Sequence, residues 1–270
     1  MDSIEQPGLY QDPGVYDILH TPGTAAEVDG LERIAQRLVE ARGAAAKTWL
    51  EPACGSGRYL RVAAGRGHRA VGFDLNDAMV AYAKRRVRAD DDARFFIAPM
   101  ESFVGRDCPA GSVGFAFNLI NSFRHLMDDV AALAHLEQMS RALAPGGVYA
   151  VGLSLTSYGV EQPSEDVWSG ARGRCRVTQI VQFEPGTAGA RRERVHSHLV
   201  VTRPSGERHL DSRYELRTYN MEQWENLIAR SAMREVACVD ELGDDADRPS
   251  MGYRVFILRP RRSPVVNRSR

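Results

Sequence analysis

Cysteine is scarce and unpaired: Cys54, Cys108, Cys175 and Cys238 stand far apart, which argues against a disulfide framework or a zinc cluster. Long apolar runs are missing, so no stretch reaches the roughly 20 residues of a membrane-spanning helix. The start of the chain, Met1-Asp2-Ser3-Ile4-Glu5, lacks the basic and apolar regions of a signal peptide, and a cytoplasmic location with no membrane partner is expected. Net charge is absent too. The 35 Lys and Arg balance the 35 Asp and Glu, so nothing global draws the chain to phosphate backbones, and nucleic acid is not the expected partner. What remains is a chain of 270 residues, 43% hydrophobic and 26% charged, enough for one large globular domain or a domain with a sub-domain.

The most informative stretch is 47–60, where the apolar strand Trp49-Leu50 runs through Glu51-Pro52-Ala53-Cys54 into Gly55-Ser56-Gly57 and then a helix. Gly55 and Gly57 carry no Cβ and tolerate positive φ, so main chain can approach a ligand and present amide donors at a helix start. That suits a nucleoside-type cofactor. A dinucleotide fingerprint needs a third glycine three residues after Gly57, where this chain has Leu60.

Further elements follow at regular intervals. A second strand, 69–74, ends in Asp74; a third, 93–98, runs into Pro99-Met100-Glu101; a fourth, 113–117, opens into Asn118-Leu119-Ile120-Asn121-Ser122-Phe123-Arg124-His125-Leu126. A helix over 128–143 stops at Ala144-Pro145-Gly146-Gly147 before a fifth strand, 148–155. Ahead of the first strand the pattern predicts a helix over 31–41, preceded by a Gly- and Pro-punctuated arm. After residue 155 the alternation with helices gives way to a polar loop and three strands, 174–183, 194–203 and 207–216. A helix over 221–232 and strands at 235–240 and 253–258 complete the pattern.

The run Glu51-Pro52-Ala53-Cys54-Gly55-Ser56-Gly57 resembles motif I of the class I S-adenosylmethionine-dependent methyltransferases, acidic-x-G-x-G-x-G, with Ala53 in place of the first glycine. That departure implies that the backbone at position 53 need not be left-handed. The resemblance covers 32–155 and points to the small-molecule branch, similar to natural-product and amino-sugar N-methyltransferases. It implies an α/β, Rossmann-like doubly wound sheet of seven strands, the last antiparallel, with an antiparallel β insertion after strand five. The expected organisation is an arm, 1–30, over the cofactor site; a cofactor-binding domain, 31–155 with 216–260; an insertion, 156–215, serving as substrate wall, lid or dimer surface; and a disordered basic tail, 261–270.

The cofactor so implied is S-adenosyl-L-methionine. Glu51, Ala53, Gly55 and Gly57 occupy its motif I, Asp74 the place of the acid that accepts the ribose hydroxyls, Leu75 and Met79 the packing around adenosine, and Met100 and Glu101 the adenine segment. Asn118 and Asn121 are candidates to bind the methionine carboxylate or the acceptor, or to stabilise a turn. His125, just beyond the fourth strand where ligands of open α/β folds bind, is the candidate base, with a structural cap as its alternative. Arg124 either anchors an acidic substrate group or pairs with Asp128 or Asp129. Tyr16-Asp17 resembles a pair that folds over the cofactor near the methyl sulfur, Tyr10 is assigned to the substrate, and an ordinary staple of the arm explains Tyr16-Asp17 equally well.

His196, His198 and His209 read as a solvated strand surface, and no metal is expected. The chain has Asn118-Leu119-Ile120-Asn121 where methyltransferases of DNA, glutamine and some RNA bases carry an Asn/Asp-Pro-Pro-aromatic clamp, so the resemblance implies a small-molecule acceptor, with nitrogen placed ahead of oxygen. An RNA or protein methyltransferase and a non-methylating cofactor-binding protein are the alternatives. By frequency alone a homodimer is preferred.

Overall fold

The arm is helical. Asp12 opens its main helix by accepting from the amides of Gly14 and Val15 at 3.1 Å each, and Pro13 takes the first helical position, where a missing N–H is harmless. The computed structural model describes residues 8–261. Within them the arm comprises α1 (Gly8–Gln11), α2 (Pro13–His20) and the opening of α3 (Thr24–Leu38). The helix expected at 31–41 therefore starts at Thr24, and the expected boundary after residue 30 falls inside it. Its first turns expose Ala25, Ala26 and Asp29, and of the buried residues before Leu31, Thr24, Val28 and Gly30, only Val28 is strongly apolar. The expected basic tail lies outside the described residues except for Arg261, which donates to the carbonyls of Ser231 and Ile228.

After the short α4 (Gly43–Ala46), the strand and helix alternation runs β1 (Thr48–Pro52), α5 (Arg58–Gly65), β2 (Arg69–Asp74), α6 (Asp77–Arg86), β3 (Ala93–Ile97) and β4 (Val113–Asn118). A 3-10 turn, Ser122–His125, then leads to α7 (Asp129–Ala142) and β5 (Leu143–Leu155). β1 and β4 are buried at every position, as central parallel strands covered on both faces must be.

The insertion holds four strands rather than three: β6 (Ser164–Arg172), β7 (Cys175–Glu184), β8 (Arg192–Arg203) and β9 (Gly206–Arg217), paired antiparallel in that order. β6 was hidden in the expected polar loop because it is an edge strand whose side chains are mostly exposed, Val167 and Trp168 among them, so it shows no in-and-out alternation. The chain returns through α8 (Met221–Arg230), β10 (Met233–Val239) and β11 (Gly252–Pro260).

The large sheet has the order β10-β11-β5-β4-β1-β2-β3. All its strands are parallel except β11, which runs antiparallel to both β10 and β5, so the expected seven-stranded sheet with a reversed last strand is present. One face packs Val28, Leu31 and Ile34 of α3 and Leu60 of α5 over Trp49 and Phe115. The other packs Leu136 and Met139 of α7 and Trp224 and Leu227 of α8 over Tyr149 and Phe256. The small sheet is covered by the arm: Leu9, Val15, Ile18 and Leu19 form a separate core with Val177, Leu199 and Val201. Arm and insertion are thereby one packing unit at the carboxyl edge of the large sheet.

Candidate functional site

Past the carboxyl ends of β1, β2 and β3 lies a cavity of about 440 Å³, the position at which open α/β sheets bind ligands. Its floor is the turn after β1. Ala53, Gly55 and Gly57 have φ of 49°, 52° and 69°, so Ala53 is left-handed, contrary to the expectation drawn from the missing glycine. The turn demands that conformation, and alanine adopts it at a cost of about 1 kcal/mol. Gly55 faces the cavity, where an added Cβ would sit 3.4 Å from the Tyr16 ring. Gly57 does not line it. A Cβ there would meet Phe95 at 2.8 Å and Ala83 at 3.1 Å, so this glycine lets α5 pack down on the sheet.

Asp74 joins the floor to the next wall. One carboxylate oxygen accepts from the Gly55 amide at 2.8 Å and the other from the Asn76 amide at 2.9 Å. Burial raises its carboxyl above the usual range, while the amides of Asn76, Gly55 and Leu75 pull the other way. Leu75 and Met79 line the same wall. Asn76, which caps α6 by accepting from Met79, also donates to the Tyr10 carbonyl at 3.0 Å and so ties the arm over the cavity.

Pro99, Met100 and Glu101 form the wall after β3. The Met100 carbonyl is held by His135, fully buried in α7, at 3.0 Å from Nδ1; the ring's Nε2 lies 2.8 Å from the Tyr149 hydroxyl. Burial pushes His135 down to about 4, so the ring is neutral. A carbonyl can only accept, so Nδ1 carries the proton and Nε2 takes the tyrosine's.

Two expected cofactor residues sit behind the cavity. Asn118 is buried, and its amide nitrogen donates to the Pro52 carbonyl at 2.8 Å, bracing β4 against β1. Glu51 is buried as well; burial pushes its carboxyl well up, Arg58 opposing, and its Oε2 has no partner among the described residues.

The remaining wall is aromatic. Tyr10 of α1, Tyr16 of α2, His125 of the 3-10 turn and Tyr214 of β9 face the space. The Tyr10 and Tyr16 centroids are 5.8 Å apart, Tyr10 and His125 6.3 Å, and His125 and Tyr214 6.2 Å with planes 19° apart. Burial among these rings, with the Arg124 charge beside it, holds His125 below the usual histidine range, leaving a neutral imidazole at pH 7. Burial raises both Tyr10 and Tyr16, so both keep their hydroxyl protons.

The adjacent pair Tyr16-Asp17 divides the two roles set out for it. Tyr16 faces the cavity, whereas Asp17 points away as a fully buried staple, accepting from Ser56 at 2.9 Å, Arg61 at 2.5 Å, Tyr82 at 2.9 Å and Arg172 at 2.6 Å. Burial alone would raise this carboxyl; Arg172, Arg61 and Ser56 outweigh it and hold it at about 2.

Arg124 and Asn121 do not line the cavity. Arg124 is buried, with its guanidinium on Glu193 at 2.7 Å and on the Arg217 carbonyl at 2.8 Å, not on Asp128 or Asp129. Asn121 stabilises the turn: at φ 62°, it donates to the Ser154 hydroxyl at 3.0 Å and accepts from the Ser154 amide at 2.7 Å.

Tyr214 and Glu215 of β9, with Ser122, Leu126 and Met127, line the cavity without having been expected there. Only its place in the strand expected over 207–216 marks Tyr214 in the sequence, and nothing in it marks the partner. The charged lining residues are Asp74, Glu101 and Glu215, with no Lys or Arg. His198 and His209 lie on an exposed chain, Asp211 to His198 to His209 to Glu207, and among the described residues no group of three or more His, Cys, Asp or Glu converges as metal ligands would.

Residues 50–147 match a family model described as a methyltransferase domain. This segment is similar to that domain. Beyond that segment, most of the chain shares the fold of solved methyltransferases. DesVI from Streptomyces venezuelae superposes with a TM-score of 0.68 at 21% identity, over 88% of this chain and 92% of that one. The sugar N-methyltransferase KedS8 from a Streptoalloteichus species gives 0.66 at 21%, over 89% and 90%. CalS10, an amino pentose methyltransferase of calicheamicin biosynthesis from Micromonospora echinaspora solved with S-adenosylmethionine bound, gives 0.62 at 20%, over 87% and 89%. No curated protein matches the sequence. The matched segment and the fold agree with the class I resemblance. Among the described residues no helix is long and apolar enough to cross a membrane.

Proposed function

We propose that the chain is an S-adenosyl-L-methionine-dependent methyltransferase acting on an amine nitrogen of a small molecule. The observation that carries this reading is a single cavity joining a glycine floor and Asp74 at one end to a neutral histidine among three tyrosines at the other, with carboxylates but no cation in its lining. The residues present fit the cofactor. The backbone at Ala53 and Gly55 admits close approach, the Asp74 carboxylate retains lone pairs for the ribose hydroxyls, and Leu75, Met79 and Met100 supply apolar faces for adenine. When bound, the cofactor supplies an electrophilic methyl on a sulfonium.

His125 then takes a proton from the acceptor ammonium, which frees the nitrogen lone pair, and Tyr16 orients the reacting groups above Gly55. A lining of carboxylates attracts a cationic amine and disfavours phosphorylated or carboxylated acceptors, which places nitrogen ahead of oxygen. The descriptions of KedS8 as a sugar N-methyltransferase and CalS10 as an amino pentose methyltransferase support the same acceptor class. The arm and the insertion act as walls of the acceptor end.

The test is incubation with S-adenosyl-L-methionine and matched panels of small amines, phenols and phosphorylated amines, with S-adenosylhomocysteine and methylated product read by mass spectrometry. Methylation confined to non-phosphorylated amines is expected. Absence of S-adenosylhomocysteine binding in calorimetry would overturn the cofactor reading, and turnover on phenols alone would overturn nitrogen.

A further inference from the structure

The loop carrying His125 is anchored at one end to the large sheet and at the other to the insertion. Asn121 fixes its start on Ser154 of β5. Its far end is held from β8 and β9: Arg124 donates to the Arg217 carbonyl at 2.8 Å and pairs with Glu193 at 2.7 Å, while Arg217 reaches back to the Met127 carbonyl at 2.7 Å and to Asp129. A cation is thus buried one residue from the imidazole, and the anion facing it comes from another part of the chain.

We propose that Glu193 is a positioning residue for His125: its carboxylate seats Arg124 and neutralises it, so that the loop is held by a guanidinium whose full charge does not bear on the imidazole. The proposal rests on the reading of His125 as the proton acceptor. Both charges also bear on Tyr214, the ring that lies nearly parallel to His125: burial and then Glu193 raise its phenol and Arg124 lowers it, leaving it at about 12.

The other groups facing the imidazole are less able to tune it. Tyr10, Tyr16 and Tyr214 stay uncharged through neutral pH. Glu215 is paired with Arg192 at 2.9 Å, and Asp74 is bound to backbone amides. Glu101 lies on the wall after β3. The Arg124 and Glu193 pair is the local charge that substitution can reverse in sign.

The test is an NMR titration of the His125 ring in the full chain, its signal assigned by its loss in H125N. Glu193→Gln leaves Arg124 unopposed and should lower the proton affinity of His125 on the order of tenfold. Arg124→Met leaves Glu193 unopposed and should raise it. The double variant buries neither charge, so it keeps the test readable if a lone buried charge unfolds a single variant, and its value should fall between the two. The acid limb of the kcat/KM profile should move in the same order, whereas a merely structural role would lower activity without shifting that limb. Coincident titrations, or a Glu193→Gln shift upward, would overturn the proposal. Full turnover in H125N would overturn the base reading on which it rests, whatever the titration order.

Discussion

The two ends of the cavity are built from different materials. At the floor, ligand-facing geometry belongs to the main chain: left-handed Ala53 and Gly55, and an Asp74 carboxylate fixed by two amides at 2.8 and 2.9 Å. At the aromatic end it belongs to side chains delivered by four separate elements, with Tyr10 and Tyr16 on two helices of the arm, His125 on a short turn and Tyr214 on the insertion. Backbone geometry tolerates sequence change, whereas an assembly of rings is specific to the residues that make it. On the proposed function, the floor serves a shared cofactor and the aromatic end an individual acceptor.

The sharpest way to break this division is a crossed pair of substitutions. His125→Ala should lower kcat/KM by about 10² to 10⁴-fold while leaving S-adenosylhomocysteine affinity unchanged in calorimetry. Asp74→Ala should do the reverse, weakening that affinity by roughly 10 to 100-fold through lost charge-assisted hydrogen bonds to ribose and loss of its hold on the Gly55 amide. If either variant shows the other's pattern, the ends are not functionally separate.

The division also explains what could be read in the sequence. The floor and the seven-stranded order follow from local signals, a strand, a glycine turn and a helix start, each complete within a dozen or so residues. The acceptor end is assembled by tertiary packing, so Tyr214 gives no sign of meeting His125 until β9 is seen seated beside the loop. Arg124 and Asn121 were drawn into the site by their nearness in sequence to His125. In a 3-10 turn, at three residues per turn, successive side chains diverge by about 120°, and these two point to β8 and β5 instead. Ala53 misled for the opposite reason. Its methyl group suggests an ordinary negative φ, but the turn imposes a left-handed one.

The staple that joins the ends gives a smaller and pH-dependent effect. Asp17, held at about 2 against an ordinary value of 3.8, is a carboxylate depressed by folding. Its contribution of about 2 kcal/mol is fully present above the unfolded value near pH 4 and is lost as pH falls through about 2. Denaturant titrations should show Asp17→Asn less stable than the parent at pH 7, with the gap closing between pH 4 and pH 2. A gap independent of pH would mean that packing, and not the ion pairs with Arg61 and Arg172, fastens the arm.

The smallest effect probes the floor itself. Ala53 sits at φ 49°, where an L side chain is strained and glycine is not. Ala53→Gly removes that strain, about 1 kcal/mol or slightly more, but gives the unfolded chain extra freedom worth about 0.4 to 1 kcal/mol. The net should be a gain of about 0.5 kcal/mol, a rise in Tm of about 1 to 2 °C, with cofactor affinity altered less than twofold because the main-chain path is unchanged. A fall in Tm would show that the Ala53 methyl makes packing contacts that outweigh its strain, and the floor would then owe part of its shape to a side chain after all.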